Sequence, residues 1–377
     1  MKILLPDSSG KIEPYHLMGE PILATKPTRP FNRVTFAAAH VVANPLRDNE
    51  IDWTATLAYR RHLLDLGLGI AEAMDTAQRG MGLNWPSALE LITRSLEDAG
   101  PQNAKIIYSG CGTDHLESAH SLDEVVAAYI IQLHAIQKLG GRIILMASRA
   151  LVQCARTPED YIKVYSSVLQ ECDQPVILHW LGPMFDPALQ GYWGTDEFVS
   201  AMMTCLEVIT ANTGKIDGIK ISLLDKDKEV SMRRLLPPSV KMYTGDDFNY
   251  AELIAGDGFG HSHALLGIFD AIGPAASVAL AALAEGDVRK FHHILAPTIP
   301  LSRLIFSAPT QLYKTGLVFL AWLNGHQDHF IMLAGAQAAR PLGYFSGIFR
   351  LADQAGLLSK PDLATRRMQQ LLALYGL

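Results

Sequence analysis

Eight short, mainly apolar runs alternate along the chain with longer segments of helical period, and this alternation restricts the fold more than any other feature. Most of these runs are apolar at successive positions rather than at every second one, which is typical of parallel strands buried on both faces. Eight such strand–helix units in about 250 residues match the number and length of a (β/α)8 TIM barrel. The predicted strands are residues 33–42, 69–75, 105–110, 142–148, 175–180, 217–222, 241–247 and 264–270.

The segments between the runs carry helix-start and helix-stop signals. Asp52 precedes an amphipathic segment as a cap, Ser121 and Glu124 form a capping-box pattern, and Gly140 marks the end of the helix that this pattern opens. An open doubly wound sheet is the alternative, but no dinucleotide-binding fingerprint follows the first strand. We therefore expect an N-terminal extension in 1–32, the barrel in 33–295 and C-terminal helices in 296–377.

Composition excludes several classes of protein. With 49% hydrophobic and 19% charged residues, the chain is not a disordered protein. Its net charge is only −6 and its basic residues are not clustered, so we expect no nucleic-acid partner. The most apolar stretch is interrupted by Asp270 and Pro274, so we expect no membrane span.

The cysteines and the N-terminus indicate the compartment. The four cysteines, at 111, 154, 172 and 205, are widely spaced and form no CxxC pair, which is typical of reduced thiols. Residues 1–17 lack the apolar core of a signal peptide. The sequence thus predicts a cytoplasmic protein, and we expect a homo-oligomer that binds a small-molecule substrate and needs no cofactor and no metal.

Polar residues follow or end nearly every predicted strand. In a barrel of this kind, catalytic groups project from the carboxyl ends of the strands. The side chains at these ends predict a polar site. They are His40, Glu72, Asp75, Ser109, Thr113, Ser148, Arg149, His179, Lys220, Asp246, Asp247 and Asp270.

Lys220 is the most informative of these residues, because it lies inside the apolar run Gly218-Ile219-Lys220-Ile221-Ser222. A lysine at a strand end can extend to water and have no special role. In a central strand, partial desolvation would instead lower its pKa and leave a neutral amine that attacks carbonyl carbon. His179, on the adjacent predicted strand, would be an acid–base partner for this chemistry.

The order of the motifs resembles the dihydrodipicolinate synthase and N-acetylneuraminate lyase superfamily of class I aldolase-like barrels. "GIKIS" from Gly218 to Ser222 is similar to the family's sixth-strand lysine motif, and "YTGDD" from Tyr243 to Asp247 to its "SGDD" turn. "LYKTGLVFLAWLNG" resembles its late lysine-containing helix, and "NEIDW" at 49–53 resembles the segment that opens its first helix. The resemblance spans roughly residues 33–377 and implies that Lys220 forms a Schiff base.

Two departures from the family pattern concern the substrate. His179 in "ILHWLGP" stands where the family has a tyrosine proton relay, so we assign the proton transfer to His179. "MDTAQRG" replaces the family's "GTTGE" loop, which holds a 2-keto acid carboxylate, and places Asp75 and Thr76 there. Since like charges repel strongly in a desolvated site, we expect a neutral, hydroxyl-bearing, carbohydrate-derived keto substrate. Asp75, Thr76, His40, Asp246, Glu72 and Ser109 are the predicted substrate-binding residues.

Three alternatives remain open at this point. Asp75 could instead cap the following segment or pair with Arg79. The barrel could be a metal-dependent isomerase or hydrolase that uses His40, Glu72, Asp75, His179 and Asp246 as ligands, although no HxH or HExxH spacing supports this set. It could also bind a ligand without catalysing a reaction.

Overall fold

The computed structural model describes residues 1–7 and 9–377 and contains a closed barrel of eight parallel strands. Strands that follow each other in sequence are neighbours around the barrel, and the last strand closes the ring on the first. The predicted (β/α)8 barrel is confirmed. The barrel strands are β3 (Thr35–Ala38), β4 (Gly69–Glu72), β5 (Ile107–Cys111), β6 (Arg142–Leu145), β7 (Val176–Leu181), β8 (Ile216–Ser222), β9 (Lys241–Thr244) and β10 (His263–Leu266).

Helices surround the barrel and continue beyond its last strand. Asp52 caps the first helix by accepting the backbone N–H of Ala55, and Ser121 caps the third by accepting that of Glu124. The helices of the barrel region are α1 (Trp53–Asp65), α2 (Trp85–Asn103), α3 (Leu122–Lys138), α4 (Arg149–Cys154), α5 (Pro158–Gln170), α6 (Phe198–Ala211), α7 (Lys226–Arg233), α8 (Tyr250–Ala255), α9 (Ile268–Ala271), α10 (Gly273–Ala284) and α11 (Val288–Leu295).

The C-terminal helices follow as α12 (Thr298–Ile305), α13 (Tyr313–Leu323), α14 (Leu342–Gln354) and α15 (Pro361–Leu374). Every residue of α13 is buried, because this helix packs against α9 of the barrel and against α12, α14 and α15. A helix that is apolar on all sides is a core helix. The C-terminal helices are thus joined to the barrel through α13.

The N-terminal residues form a feature that the sequence did not predict, a two-stranded antiparallel sheet of β1 (Lys2–Pro6) and β2 (Ile12–His16). Asp353 of α14 anchors this segment, since its carboxylate accepts hydrogen bonds from the Tyr15 hydroxyl and from the backbone N–H of Met18 and Gly19. The sequence-based division of the chain at residues 32 and 295 stays a prediction.

The amino-terminal end of the barrel is closed by aromatic side chains. Phe36, Tyr108 and Tyr243 meet inside it, with ring centroids of Phe36 4.9 Å from Tyr108 and 5.9 Å from Tyr243. The Tyr243 hydroxyl donates to Asp217 at 2.6 Å, and Arg142 donates to the Tyr108 hydroxyl at 2.7 Å. Because this end is filled, a ligand can enter the barrel only from the carboxyl ends of the strands.

Candidate active site

Lys220 lies inside the barrel. Ile177 on β7 belongs to the interior apolar cluster and is the register partner of Gly218 on β8, so Lys220, two residues further, points to the same interior face. Its side chain is only 7% exposed. The neighbouring strand makes room for it with Gly245, where an added Cβ would stand 2.7 Å from the Lys220 Cε.

The Lys220 ammonium has no hydrogen bond and no ion pair to any residue that the structure describes. Burial lowers the pKa of Lys220 from its usual value, and the nearby carboxylates of Asp247 and Asp75 oppose that shift only in part. Burial likewise raises the pKa of Asp247 to about 7. Both shifts favour the neutral forms of the two groups, so a proton can pass from the amine to the carboxylate within the site.

His179 is the register partner of Lys220 on β7, and its ring is 1% exposed. One ring nitrogen, Nε2, lies 3.2 Å from the Ser222 hydroxyl, while the other, Nδ1, is buried and has no hydrogen-bond partner within residues 1–7 and 9–377. Burial, reinforced by the charge of Lys220, holds the pKa of His179 well below its usual value. The imidazole is therefore neutral near pH 7 and can accept a proton.

Asp75 and Thr76 lie in a short 3-10 turn, Asp75–Ala77, directly after β4. Arg79 does not pair with Asp75, because its guanidinium binds Asp114 through two bonds of 2.7 Å. Thr76 is buried, and its hydroxyl lies 2.8 Å from the hydroxyl of Tyr313. Asp75 thus keeps its carboxylate free of that arginine, whereas Thr76 is bound to a side chain from the C-terminal helices.

A cavity of about 380 Å³ opens at this end of the barrel, above strands β4 to β7. Its volume suits a small organic molecule. Lys220 is not one of its lining residues, but His179 and Asp75, both within electrostatic reach of Lys220, are. The principal lining side chains are Asp75, Arg79, Thr113, Asp114, Glu117, Met146, Arg149, His179, Leu181 and Asp186.

Both arginines of the cavity wall are already paired. Arg79 is held by Asp114, by the Gln132 side chain at 2.7 Å and by two backbone carbonyls. Arg149 donates to Asp186 at 2.6 Å. Since Asp75 and Glu117 also line the cavity, its wall carries more acidic than basic groups. An anionic ligand would find Arg79 buried and fully engaged, whereas the exposed Arg149 is held by Asp186 through Nε.

Sequence reasoning missed two residues beside this site, Tyr313 and Lys314 at the start of α13. Lys314 is 5% exposed and donates to the carbonyl of Gln311 at 3.1 Å. Burial lowers the pKa of Lys314 to about 8, and the charges of Asp75 and Asp186 act against that shift. Only the resemblance of this late helix to a known lysine-containing helix pointed to the segment.

Glu72 and His40 do not reach the cavity, in contrast to the expectation from the sequence. Glu72 points out of the barrel toward α1 and α2, where it pairs with Arg60 at 2.8 and 2.9 Å and accepts the Ser95 hydroxyl. The His40 ring bonds to Asp270 at 2.9 Å and to the Gln327 side chain at 3.2 Å. Both side chains use their hydrogen-bonding atoms on partners within the fold.

Ser109 and Asp246 are likewise not brought to the cavity. Ser109 is the register partner of Glu72 and faces the helix layer in the same way, and its buried hydroxyl has no partner among the residues that the structure describes. The Asp246 carboxylate shapes the turn after β9, where it accepts the backbone N–H of Phe248 and Asn249. The adjacent Asp247 is the carboxylate that reaches Lys220.

The proposed metal ligands are therefore not assembled, since His40, Glu72 and Asp246 all have other partners. In residues 1–7 and 9–377, no three His, Cys, Asp or Glu side chains are grouped in a way that could hold a metal ion. No helix within these ranges is long and apolar enough to cross a bilayer. The homo-oligomeric state and the compartment expected from the sequence stay predictions.

A family model described as a protein of unknown function, DUF993, matches residues 3–377. No curated protein sequence matches the chain.

Solved structures of the dihydrodipicolinate synthase family share the fold. A dihydrodipicolinate synthase from Thermotoga maritima is 16% identical with a TM-score of 0.67, and the match covers 88% of this chain and 100% of the other. A putative dihydrodipicolinate synthetase from Pseudomonas aeruginosa is 16% identical with a TM-score of 0.65, over 85% and 99%. A prophage protein of that family from E. coli K12, solved with pyruvate, is 14% identical with a TM-score of 0.68, over 86% and 99%. The fold expected from the resemblance is confirmed.

Proposed function

The chain belongs to the DUF993 family, whose description assigns no activity, and from the site itself we propose that it is a Schiff-base-forming lyase or aldolase. The observation that carries the proposal is the state of Lys220, a buried lysine inside the barrel that has no ion pair. Because burial lowers the pKa of this amine, a fraction of it is neutral and nucleophilic at working pH. The fold similarity to dihydrodipicolinate synthases agrees with this chemistry.

In the proposed reaction, Lys220 transfers a proton to Asp247 and attacks the substrate carbonyl carbon as a neutral amine. The carbon–oxygen π pair moves to oxygen, and a proton shifts from nitrogen to that oxygen, which gives a neutral carbinolamine. Asp247, now a carboxylic acid with a pKa of about 7, protonates the carbinolamine hydroxyl, which leaves as water. The nitrogen lone pair then completes the iminium, and Asp247 is ionised again.

The iminium accepts the electron pair of the neighbouring carbon–carbon bond in the cleavage direction. His179 is the proposed base, since its Nδ1 is unpartnered and its low pKa keeps it neutral. It takes the proton from the substrate hydroxyl next to the breaking bond, so that a carbonyl product and a Lys220-bound enamine form. Condensation would use the same steps in reverse.

We propose a neutral, hydroxyl-bearing keto compound derived from a carbohydrate as the substrate. Support comes from the paired arginines of the cavity and from the excess of carboxylates on its wall. A half-buried carboxylate such as Asp75 repels an anionic substrate but accepts hydrogen bonds from hydroxyl groups, and bonds to a carboxylate are stronger than those between neutral groups. Asp75 would thus bind the hydroxyls of a sugar.

Reductive trapping tests the proposal. Cyanoborohydride with a panel of keto sugars should add the mass of the reduced substrate to the Lys220 peptide, and Lys220→Arg should abolish that adduct and the turnover. Lys215, just before the amino-terminal end of the same strand, offers the matched control, because its Nζ binds the carbonyl of Cys172 far from the mouth. Lys215→Arg should trap normally. An adduct on Lys314, or full activity of Lys220→Arg, would overturn the proposal.

A further inference from the structure

Tyr313 brings a fixed hydroxyl from the C-terminal helices to the mouth of the barrel. Its ring stacks on Phe306, with centroids 4.4 Å apart and an angle of 14°, and meets Phe185 edge to face at 6.1 Å. It also lies against the end of β10, where a Cβ on Gly267 would stand 3.2 Å from the Tyr313 Cε2. Because packing holds the ring on these sides, the position of its hydroxyl is set before any ligand arrives.

The hydroxyls of Tyr313 and Thr76 leave one proton without an acceptor. The two oxygens are 2.8 Å apart and make a single hydrogen bond, in which either can donate. Two hydroxyl groups carry two protons, so the second O–H has no acceptor in the part of the chain that the structure describes. Both side chains are nearly buried, with 4% and 2% exposure. An unused buried donor destabilises the fold, and a ligand oxygen would remove that cost.

The carboxylates near Tyr313 connect its hydroxyl with the surroundings of Lys220. Asp75 and Asp247 both lie within electrostatic reach of the Tyr313 hydroxyl, and these are the two carboxylates that also reach Lys220. Thr76 directly follows Asp75, which lines the cavity. The backbone N–H of Ile268, the residue after the Gly267 that Tyr313 touches, donates to the Asp247 carboxylate at 2.8 Å. The arrangement in which Thr76 donates to Tyr313 therefore leaves the tyrosine proton free near the carboxylate that also acts on Lys220.

We propose that Tyr313 is a further catalytic residue, which donates a hydrogen bond to the substrate carbonyl oxygen, with Thr76 as the residue that orients it. As Lys220 attacks, the carbonyl π pair moves to this oxygen, and a fixed donor stabilises the growing negative charge. The proton stays on Tyr313, and after the nitrogen proton has shifted, the same donor holds the carbinolamine hydroxyl until it leaves as water. This inference rests on the proposed Schiff-base function.

Exchange of the carbonyl oxygen with ¹⁸O-labelled water tests it, because exchange requires the carbinolamine to form and to lose water. With the keto sugar that traps best, Tyr313→Phe should slow both exchange and trapping by about 100-fold, since loss of one such donor costs roughly that much. Thr76→Val should slow exchange and trapping by a smaller factor. Thr76→Ser keeps the hydroxyl, so both rates should return to those of the wild type. A structural role for the hydroxyl pair would not predict this rescue.

Tyr344→Phe is the matched control, because this tyrosine is also buried and its hydroxyl donates to the carbonyl of Ile305, with no contact to the site residues described above. It should change exchange by less than twofold.

The outcomes separate the two proposals. If the wild type traps on Lys220 and Tyr313→Phe exchanges as fast as the wild type, the role of Tyr313 is refuted while the Schiff-base function stands. If the wild type forms no adduct on Lys220, both are refuted. Equal slowing by Tyr344→Phe would show a packing effect and refute the role of Tyr313.

Discussion

His179 and Lys220 are register partners on the adjacent strands β7 and β8, and both side chains point into the barrel. A neutral imidazole thus lies beside a desolvated amine, and the charge of Lys220 adds to burial in lowering the pKa of His179. A neutral base and a nucleophile whose pKa is lowered by burial suit a reaction that begins with amine attack and continues with proton removal.

Asp247→Asn should change the pH profile of trapping in both limbs. In the wild type, the rate should rise as pH rises through about 7, because Asp247 must be ionised to take the proton of Lys220. The rate should fall at higher pH, where the pair loses the proton that the carbinolamine needs. The variant should lack this fall, and its maximal rate should be about 100-fold lower for want of the acid. Asp247 also raises the pKa of Lys220, so the amine of the variant should lose its proton at lower pH than that of the wild type.

The measurement is the rate of cyanoborohydride trapping between pH 5 and 9. Asp227→Asn, an exposed aspartate on α7, is the control and should keep the wild-type profile. An Asp247→Asn profile that matches the wild type in shape and height would rule out the assigned acid.

Gly245→Ala should displace Lys220 and abolish trapping. An alanine Cβ would stand 2.3 Å from the Ser222 Oγ and 2.7 Å from both the Lys220 Cε and the carbonyl oxygen of Ile221, closer than non-bonded atoms tolerate. Overpacking of this kind costs about 1–3 kcal/mol, so the variant should still fold, with a lower Tm in a thermal melt. Gly258→Ala is the control, because an added Cβ there meets no atom within 4 Å. Normal trapping by Gly245→Ala would contradict the described path of the lysine side chain.

The barrel was predictable from the sequence because its signal is local and repeated. All eight predicted strands occur, at nearly the predicted positions, since continuous apolar runs report burial on both faces. Because both faces are buried, the sequence does not show whether a given side chain points into the barrel or toward the helices. Every residue of β4 is buried, so nothing in its pattern distinguishes the interior Ala71 from the outward Glu72.

The residues of the candidate site were predictable only where a motif is continuous in sequence. Lys220 and His179 sit on strands whose ends could be located, whereas Tyr313 meets Thr76 across 237 residues. Asp246 and Asp247 are adjacent, and which of them faces the lysine depends on the turn after β9. Contacts of this kind depend on tertiary packing, which local periodicity does not encode.

Glu72→Gln should destabilise the protein without altering its substrate preference. Glu72 forms a bidentate ion pair with Arg60, and both side chains are almost fully buried. Removing one member of such a pair leaves a buried, uncompensated charge and costs about 3–5 kcal/mol. Urea unfolding measures this cost. Glu90→Gln, which breaks the exposed pair with Arg94 on α2, should cost only about 0.3–0.5 kcal/mol. A changed substrate preference in a folded Glu72→Gln variant would return this residue to the site.

Asp75→Asn should shift the substrate preference from neutral keto sugars toward 2-keto acids. Hydrogen bonds to an ionised group contribute about 1.5–3 kcal/mol, so trapping of the best keto sugar should fall by about 10- to 100-fold. Trapping of pyruvate should rise, because the variant presents an amide donor instead of a repelling carboxylate. The measurement is the ratio of the two trapping rates. Asp65→Asn, at the exposed end of α1, is the control and should leave the ratio unchanged. Wild-type protein that traps pyruvate as well as its best keto sugar, or an Asp75→Asn ratio equal to that of the wild type, would show that Asp75 does not select the substrate.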